Sequence, residues 1–189
     1  MKKLAKCAQL FFLALCLHSH AAIKDGAINQ LITAPGGKIA YYILTTKNFD
    51  VYDEPIMEIT SRDINGSEKT LLKSRYSKNP KENLTGFYNL NLSPDARTLY
   101  FNSQAWAVSG AVHSLNIKTG AVNYIAAGEL ACIVPNGEHQ GDLIVQMHKY
   151  YVQGGSHDDL YLVKPNGNVI GLVAQGTDKT GVCPPQTGL

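Results

Sequence analysis

The chain has 189 residues, 44% apolar, 8% aromatic and only 17% charged, which excludes a disordered or collagenous chain and points to ordinary globular character. A chain of this length buries roughly two thirds of its unfolded surface, enough for a core without metal staples. No segment reaches the about 18 to 20 consecutive apolar residues that span a bilayer, and no block of like charge marks a nucleic-acid-binding arm.

At the N-terminus, Lys2, Lys3 and Lys6 precede an apolar run from Leu10 to Leu17, and Ser19-His20-Ala21 offers small residues for a signal peptidase. Residues 1–21 are therefore expected to be a secretory signal and 22–189 a single exported domain. Leu15 is too bulky before Cys16 for a lipoprotein signal. Loss of the three lysines leaves 14 basic against 15 acidic residues, a formal charge of −1 where the whole chain has +2. That balance does not suit nucleic acid, whose phosphates call for clustered Lys and Arg. Cys7 and Cys16 leave with the signal, so Cys132 and Cys183 are expected to form one disulfide. It closes a loop of about fifty residues and pins the Pro184-Pro185 tail to the sheet.

Beyond residue 22 the pattern is short β-rich runs such as Ile39-Ala40-Tyr41-Tyr42-Ile43-Leu44 and Leu143-Ile144-Val145, with almost no helical period. The turns between them recur. Ala34-Pro35-Gly36-Gly37-Lys38, Ser93-Pro94-Asp95-Ala96-Arg97 and Val134-Pro135-Asn136-Gly137-Glu138 form one set, in which Pro presets φ and Gly, Asn or Asp tolerates the positive φ that follows. Asp63-Ile64-Asn65-Gly66, Asn116-Ile117-Lys118-Thr119-Gly120 and Lys164-Pro165-Asn166-Gly167 form a second set that alternates with the first. Together they define three four-stranded units, about 27–75, 87–127 and 129–175, followed by a tail over 176–189.

The stretch Leu92-Ser93-Pro94-Asp95-Ala96-Arg97-Thr98-Leu99-Tyr100-Phe101, followed by Ser114-Leu115-Asn116-Ile117-Lys118-Thr119-Gly120, resembles the WD-like propeller repeat of TolB-type periplasmic proteins. Ala96 stands where that repeat has glycine, and Gly36 where it has Asp. The resemblance implies blades of a β-propeller. Propellers close with about four to eight blades, whereas this chain has strands for three. The expected fold is therefore all-β, with three four-stranded antiparallel blade-like sheets in an open, partial propeller or prism, or a ring completed by a partner or a second copy.

In such a blade the loops between second and third strands emerge on one face, so Thr45 to Pro55, Asn102 to Gly110 and Met147 to Asp158 should converge. They carry the only tryptophan and a local echo, Trp106-Ala107-Val108-Ser109-Gly110 against Tyr150-Tyr151-Val152-Gln153-Gly154. Trp and Tyr bring contact area at low entropic cost, while Ser, Gln and Gly bring adaptable hydrogen bonds. A partner-binding surface is expected at Ser103, Gln104, Trp106, Val108, Ser109, Gly110, Tyr150, Tyr151, Gln153 and His157. The alternative is that Trp106, Tyr150 and Tyr151 pack between sheets.

His113, His139, His148 and His157 lack the spacing of a metal site, and neither a metal nor a cofactor is expected. His157-Asp158-Asp159 places carboxylates beside an imidazole, and Ser103, Ser109 or Ser156 would complete a Ser/His hydrolase, although no Gly-x-Ser-x-Gly elbow is present. Lys69, Lys73, Arg75, Lys78 and Lys81 read as a solvated edge and linker, with binding to an acidic partner or a membrane surface as the alternative. Asp50, Asp53 and Glu54 read as an exposed acidic loop, with a calcium site or a basic partner as the alternatives.

The run Leu92 to Val122 also resembles the middle of small periplasmic immunity proteins that protect bacteria from type VI secreted cell-wall amidases. The resemblance implies that Ser109, with Val108 and Gly110, is the loop that enters a toxin's catalytic cleft. The resulting expectation is a non-enzymatic exported binding protein that occludes a cell-wall hydrolase. The alternative is an envelope protein that binds a small ligand, a glycan or a periplasmic subunit, and the third reading is the hydrolase.

Overall fold

Alternating turn signals and β-rich runs produce twelve strands in the computed structural model, which describes residues 25–178 and 181–183. The first sheet holds β1 (Gly26–Thr33), β2 (Ile39–Phe49), β3 (Pro55–Asp63) and β4 (Glu68–Lys73) in that order. The second holds β5 (Thr85–Leu92), β6 (Thr98–Trp106), β7 (Ser109–Asn116) and β8 (Val122–Ala127). The third holds β9 (Glu129–Ile133), β10 (Leu143–Tyr150), β11 (Ser156–Val163) and β12 (Val169–Gln175). All neighbouring strands are antiparallel, and no helix occurs among the described residues. The expected signal over 1–21 and the Pro184-Pro185 tail lie outside the described residues.

The β5–β6 hairpin shows how the turn chemistry sets register. The Ala96 amide donates to the Ser93 carbonyl at 2.9 Å, and the Thr98 amide donates to Ser93 Oγ at 2.9 Å. Ser93 Oγ in turn donates to Asp95 Oδ1 at 2.6 Å, and that oxygen also accepts the Arg97 amide at 3.1 Å. These bonds, the serine's first, hold the Asp95 carboxyl below its ordinary value. Ala96 sits at φ +56°, a left-handed conformation that glycine takes without strain and alanine does not.

The middle sheet is buried on both faces. Phe87, Leu90, Leu99, Phe101 and Leu115 pack against Tyr41, Ile43 and Ile59 of the first sheet. On the other side Tyr100, Val112, Ile125 and Ala126 meet Leu130, Leu143, Val145, Met147 and Val163 of the third. Each fully buried side chain of this kind contributes roughly 1.5–3 kcal/mol. The far face of the third sheet buries Ala131, Ile144, Leu160 and Leu162 beneath Val182 and Cys183. The expected disulfide is formed between Cys132 and Cys183, with Cα atoms 5.8 Å apart, and it fastens that cover.

Amide side chains join the sheets where no backbone ladder does. Gln30 donates to the Leu90 carbonyl at 2.9 Å and accepts the Leu90 amide at 2.6 Å, tying β1 to β5. Asn102, fully buried, donates to the Gly128 carbonyl at 2.9 Å and accepts the Leu130 amide at 3.1 Å, tying β6 to β9. The first and third sheets thus flank the second, and the three do not close into a ring, as an open partial propeller requires.

Candidate functional site

Each second-to-third-strand hairpin ends in a tip that the local sequence builds differently. In the first, Asp50 Oδ1 accepts the amides of Tyr52 at 2.8 Å and Glu54 at 3.1 Å, while Asp53 adopts φ +61°. This side-chain turn lifts Phe49, Val51 and Tyr52 into solvent, Val51 being 91% exposed. In the second, Trp106 pairs with Ser109 across Ala107 and Val108, and both Trp106 and Val108 are exposed. In the third, Tyr150 pairs with Ser156, and the Tyr151 and Gly155 backbones close the turn at 3.1 Å. Tyr150 is 70% exposed, Tyr151 and Val152 are exposed, and Gln153 beside them is exposed.

Tyr150 and Tyr151 therefore do not fill the spaces between sheets, while Trp106, 37% exposed, lies at a tip and lines a cavity there. Each of the three tips presents exposed large apolar or aromatic side chains.

The first and second tips line one cavity of about 910 Å³. Tyr52 and Tyr76 meet at its edge with ring centroids 4.7 Å apart and planes at 57°. Trp106 supplies a further aromatic surface, Asp50 and Glu54 carboxylates, and Asn29, Gln104, Thr45 and Ser74 neutral polar groups. Gln104 lies across Gly86, whose φ of +57° and lack of Cβ both matter: a methyl there would stand 2.7 Å from Gln104 Cδ. The expected convergence of three loops is corrected on this point, because no residue of the third tip lines the cavity.

Two residues expected on the binding surface are not at the surface. Ser103 is fully buried, its Oγ donating to the Asn83 carbonyl at 2.7 Å and lying 3.0 Å from His113 Nε2. Gly110 is buried where Tyr88 Oη and the Ser103 carbonyl leave no room for a side chain. β6 and β7 belong to the sheet covered on both faces, so the alternation of inward and outward residues fails there. Gln104, Trp106 and Val108 are exposed and Ser109 half-buried.

The histidines do not converge. His148 Nδ1 lies 2.7 Å from Asp158 Oδ1, His157 Nε2 lies 3.0 Å from Asp159 Oδ2, and His139 Nδ1 lies 3.1 Å from Asp142 Oδ2. Of the two carboxylates beside His157 in sequence, Asp159 is the one that pairs with it: adjacent strand residues point to opposite faces, so Asp158 takes His148 across β10. Tyr151 stacks on the His157 ring at 4.3 Å. No group of three His, Cys, Asp or Glu among the described residues is arranged to hold a metal.

Of the basic concentration, Lys73 pairs with Glu58 at 3.2 Å and Lys81 sits 5.4 Å over the Tyr124 ring. Sequence reasoning placed Tyr52 within a converging loop without singling it out, and missed Tyr76 and Gly86 as parts of the site. The one signal available was an isolated aromatic, Tyr76, inside an otherwise polar linker.

No family model matches the chain, and no curated protein matches its sequence. Solved structures do. The β-propeller domain of the Trilobed protease from Pyrococcus furiosus, described as having an open velcro topology, is 11% identical with a TM-score of 0.53 over 80% of this chain and 43% of that one. The acylaminoacyl peptidase of Pyrococcus horikoshii is 13% identical with a TM-score of 0.54 over 80% of this chain and 25% of that one. TolB from Acinetobacter baumannii also matches, at 16% identity over 81% of this chain and 44% of that one, but with a TM-score of only 0.35. The chain thus spans less than half the length of these proteins, and the likeness of the first two shows the fold alone: the blades of a β-propeller.

Proposed function

We propose that the protein is a non-enzymatic, exported inhibitor that occludes a secreted cell-wall amidase. The observation that carries this reading is the set of exposed apolar and aromatic residues on the hairpin tips, with Trp106 and Val108 on the second, beside the half-buried Ser109, and Tyr150, Tyr151 and Val152 on the third. Such anchors suit a protein contact, in which a few buried aromatics provide most of the affinity. The β6–β7 tip lies within the run 92–122 that resembles the immunity proteins, and in this reading it enters the cleft with Ser109 as its hydrogen-bonding side chain. Ser103 and Gly110 lie behind that surface as supports, and His157 holds Tyr151 by stacking. The disulfide fits an oxidising compartment such as the periplasm.

The test is peptidoglycan digestion by cell-wall amidases from a type VI secreting culture, with the chain from residue 22 onward added. Stoichiometric inhibition that is lost in Trp106→Ala with Ser109→Arg supports the proposal. Undiminished digestion at excess inhibitor overturns it. A second reading, an envelope protein holding a small ligand, is favoured by the cavity of about 910 Å³, a volume within the range of ligand sites.

A further inference from the structure

We infer that the cavity between the first and second hairpin tips is a socket for a cationic side chain, a lysine or arginine on a basic segment of a protein partner. The inference uses the protein-binding reading above only for the source of that segment. The cavity's own chemistry selects the charge. Its walls carry the aromatic rings of Tyr52, Tyr76 and Trp106 and the carboxylates of Asp50 and Glu54, and no Lys, Arg or His among the described residues lines it.

An aromatic face carries negative quadrupolar charge and attracts an ammonium or guanidinium group. Tyr52 comes from the first hairpin and Tyr76 from the segment after β4, and their tilted contact forms a corner instead of a flat stack. Asp50 is held at the rim because its Oδ1 accepts two amides of its own turn. Glu54, at the end of the same turn, adds a second negative charge, and Pro55 stiffens the chain directly after it. An anion would meet two carboxylates with no compensating cation among the described lining residues, and a neutral sugar would stack and donate hydroxyls to the carboxylates but leave both negative charges unneutralised. A volume of about 910 Å³ exceeds one side chain and admits a short stretch of peptide around it.

Trp106 is the only tryptophan in the chain and lines the cavity, so its fluorescence reports occupancy directly. The probes are capped pentapeptides, Gly-Gly-Arg-Gly-Gly and Gly-Gly-Lys-Gly-Gly, against the same peptides with Gln or Glu at the centre, and a neutral trimer of N-acetylglucosamine. The expected result is a saturable change with the Arg and Lys peptides alone, weakening as salt rises. The double variant Asp50→Asn with Glu54→Gln, in which Asn keeps the turn's acceptor oxygen, should bind them about tenfold more weakly at unchanged melting temperature.

No saturable change with either cationic peptide, an equal response to the Gln peptide, or saturation by the sugar that the double variant leaves intact would each overturn the socket. Its failure and that of the inhibitor reading are distinguishable. Cationic peptides that bind while amidase digestion proceeds unhindered leave the socket standing and remove the inhibitor, and the reverse result does the opposite.

Discussion

Ser103 Oγ and His113 Nε2 lie 3.0 Å apart inside the middle sheet, and the serine sends its own proton to the Asn83 carbonyl at 2.7 Å. The histidine is therefore the donor, and the pair is the inverse of a nucleophile facing its base. Phe101 stacks on the imidazole at 5.4 Å and Tyr124 meets it edge-on at 5.9 Å, so the ring is part of the core.

Burial lowers the His113 pKa from 6.5 to about 4. The unfolded chain takes up a proton near pH 6.5 that the folded chain refuses until about 4, so the unfolded state binds more protons throughout that window. Stability is full above the window and declines as pH falls through it, by on the order of 3 kcal/mol. Denaturant midpoints measured at pH 7 and pH 4.5 should differ more for the native protein than for His113→Gln. Equal differences for both proteins would remove His113 as the titrating group.

Gly110 and Ala96 predict opposite effects of adding or removing one methyl. A Cβ on Gly110 would run into Tyr88 Oη and stand 2.9 Å from the Ser103 carbonyl, with backbone on one side unable to yield. Gly110→Ala should lower stability by about 1–3 kcal/mol. Ala96 already carries a methyl at φ +56°, so Ala96→Gly should raise stability by up to about 1 kcal/mol. Thermal unfolding of the two variants checks both signs at once.

The blades were legible because their turns are chemical signals: Pro and Gly at fixed offsets set strand ends whatever packs on them. The disulfide was legible because Cys132 and Cys183 were the only cysteines expected to survive export. The site was less so. Tyr52 meets Tyr76 only after two further strands and a linker have returned the chain, and no local pattern records that return. Adjacency misled at His157-Asp158, where strand alternation separates neighbours. Ser103 misled for a different reason, since a polar residue on a strand suggests solvent unless a second sheet is known to cover it.

Opening the disulfide should loosen one face of one sheet. Val182 and Cys183 cover Ile144, Leu160 and Leu162, and only the bond to Cys132 fixes that cover covalently. Cys132→Ala with Cys183→Ala should lower stability by about 2–4 kcal/mol. The hairpin tips lie on other strand ends, so the proposed partner binding, measured below the new melting temperature, should be retained. A binding loss as large as the native-to-Trp106→Ala difference would place the partner on the tail instead.

Trp106 and Ser103 share β6 three residues apart, yet they should fail in different assays. Trp106 is 37% exposed at the strand's end, so Trp106→Ala removes contact area from the tip and little from the core. Partner affinity should fall about tenfold or more while the melting temperature barely moves. Ser103→Ala leaves the Asn83 carbonyl and His113 Nε2 without their partner in the interior, which should cost about 1–3 kcal/mol of stability. Its affinity for the partner, measured where the variant is fully folded, should stay within a fewfold of native, because Ser103 is fully buried behind the tip. The reverse outcome, an affinity loss for Ser103→Ala and a stability loss for Trp106→Ala, would place the contact surface in the cleft between sheets and remove it from the tips.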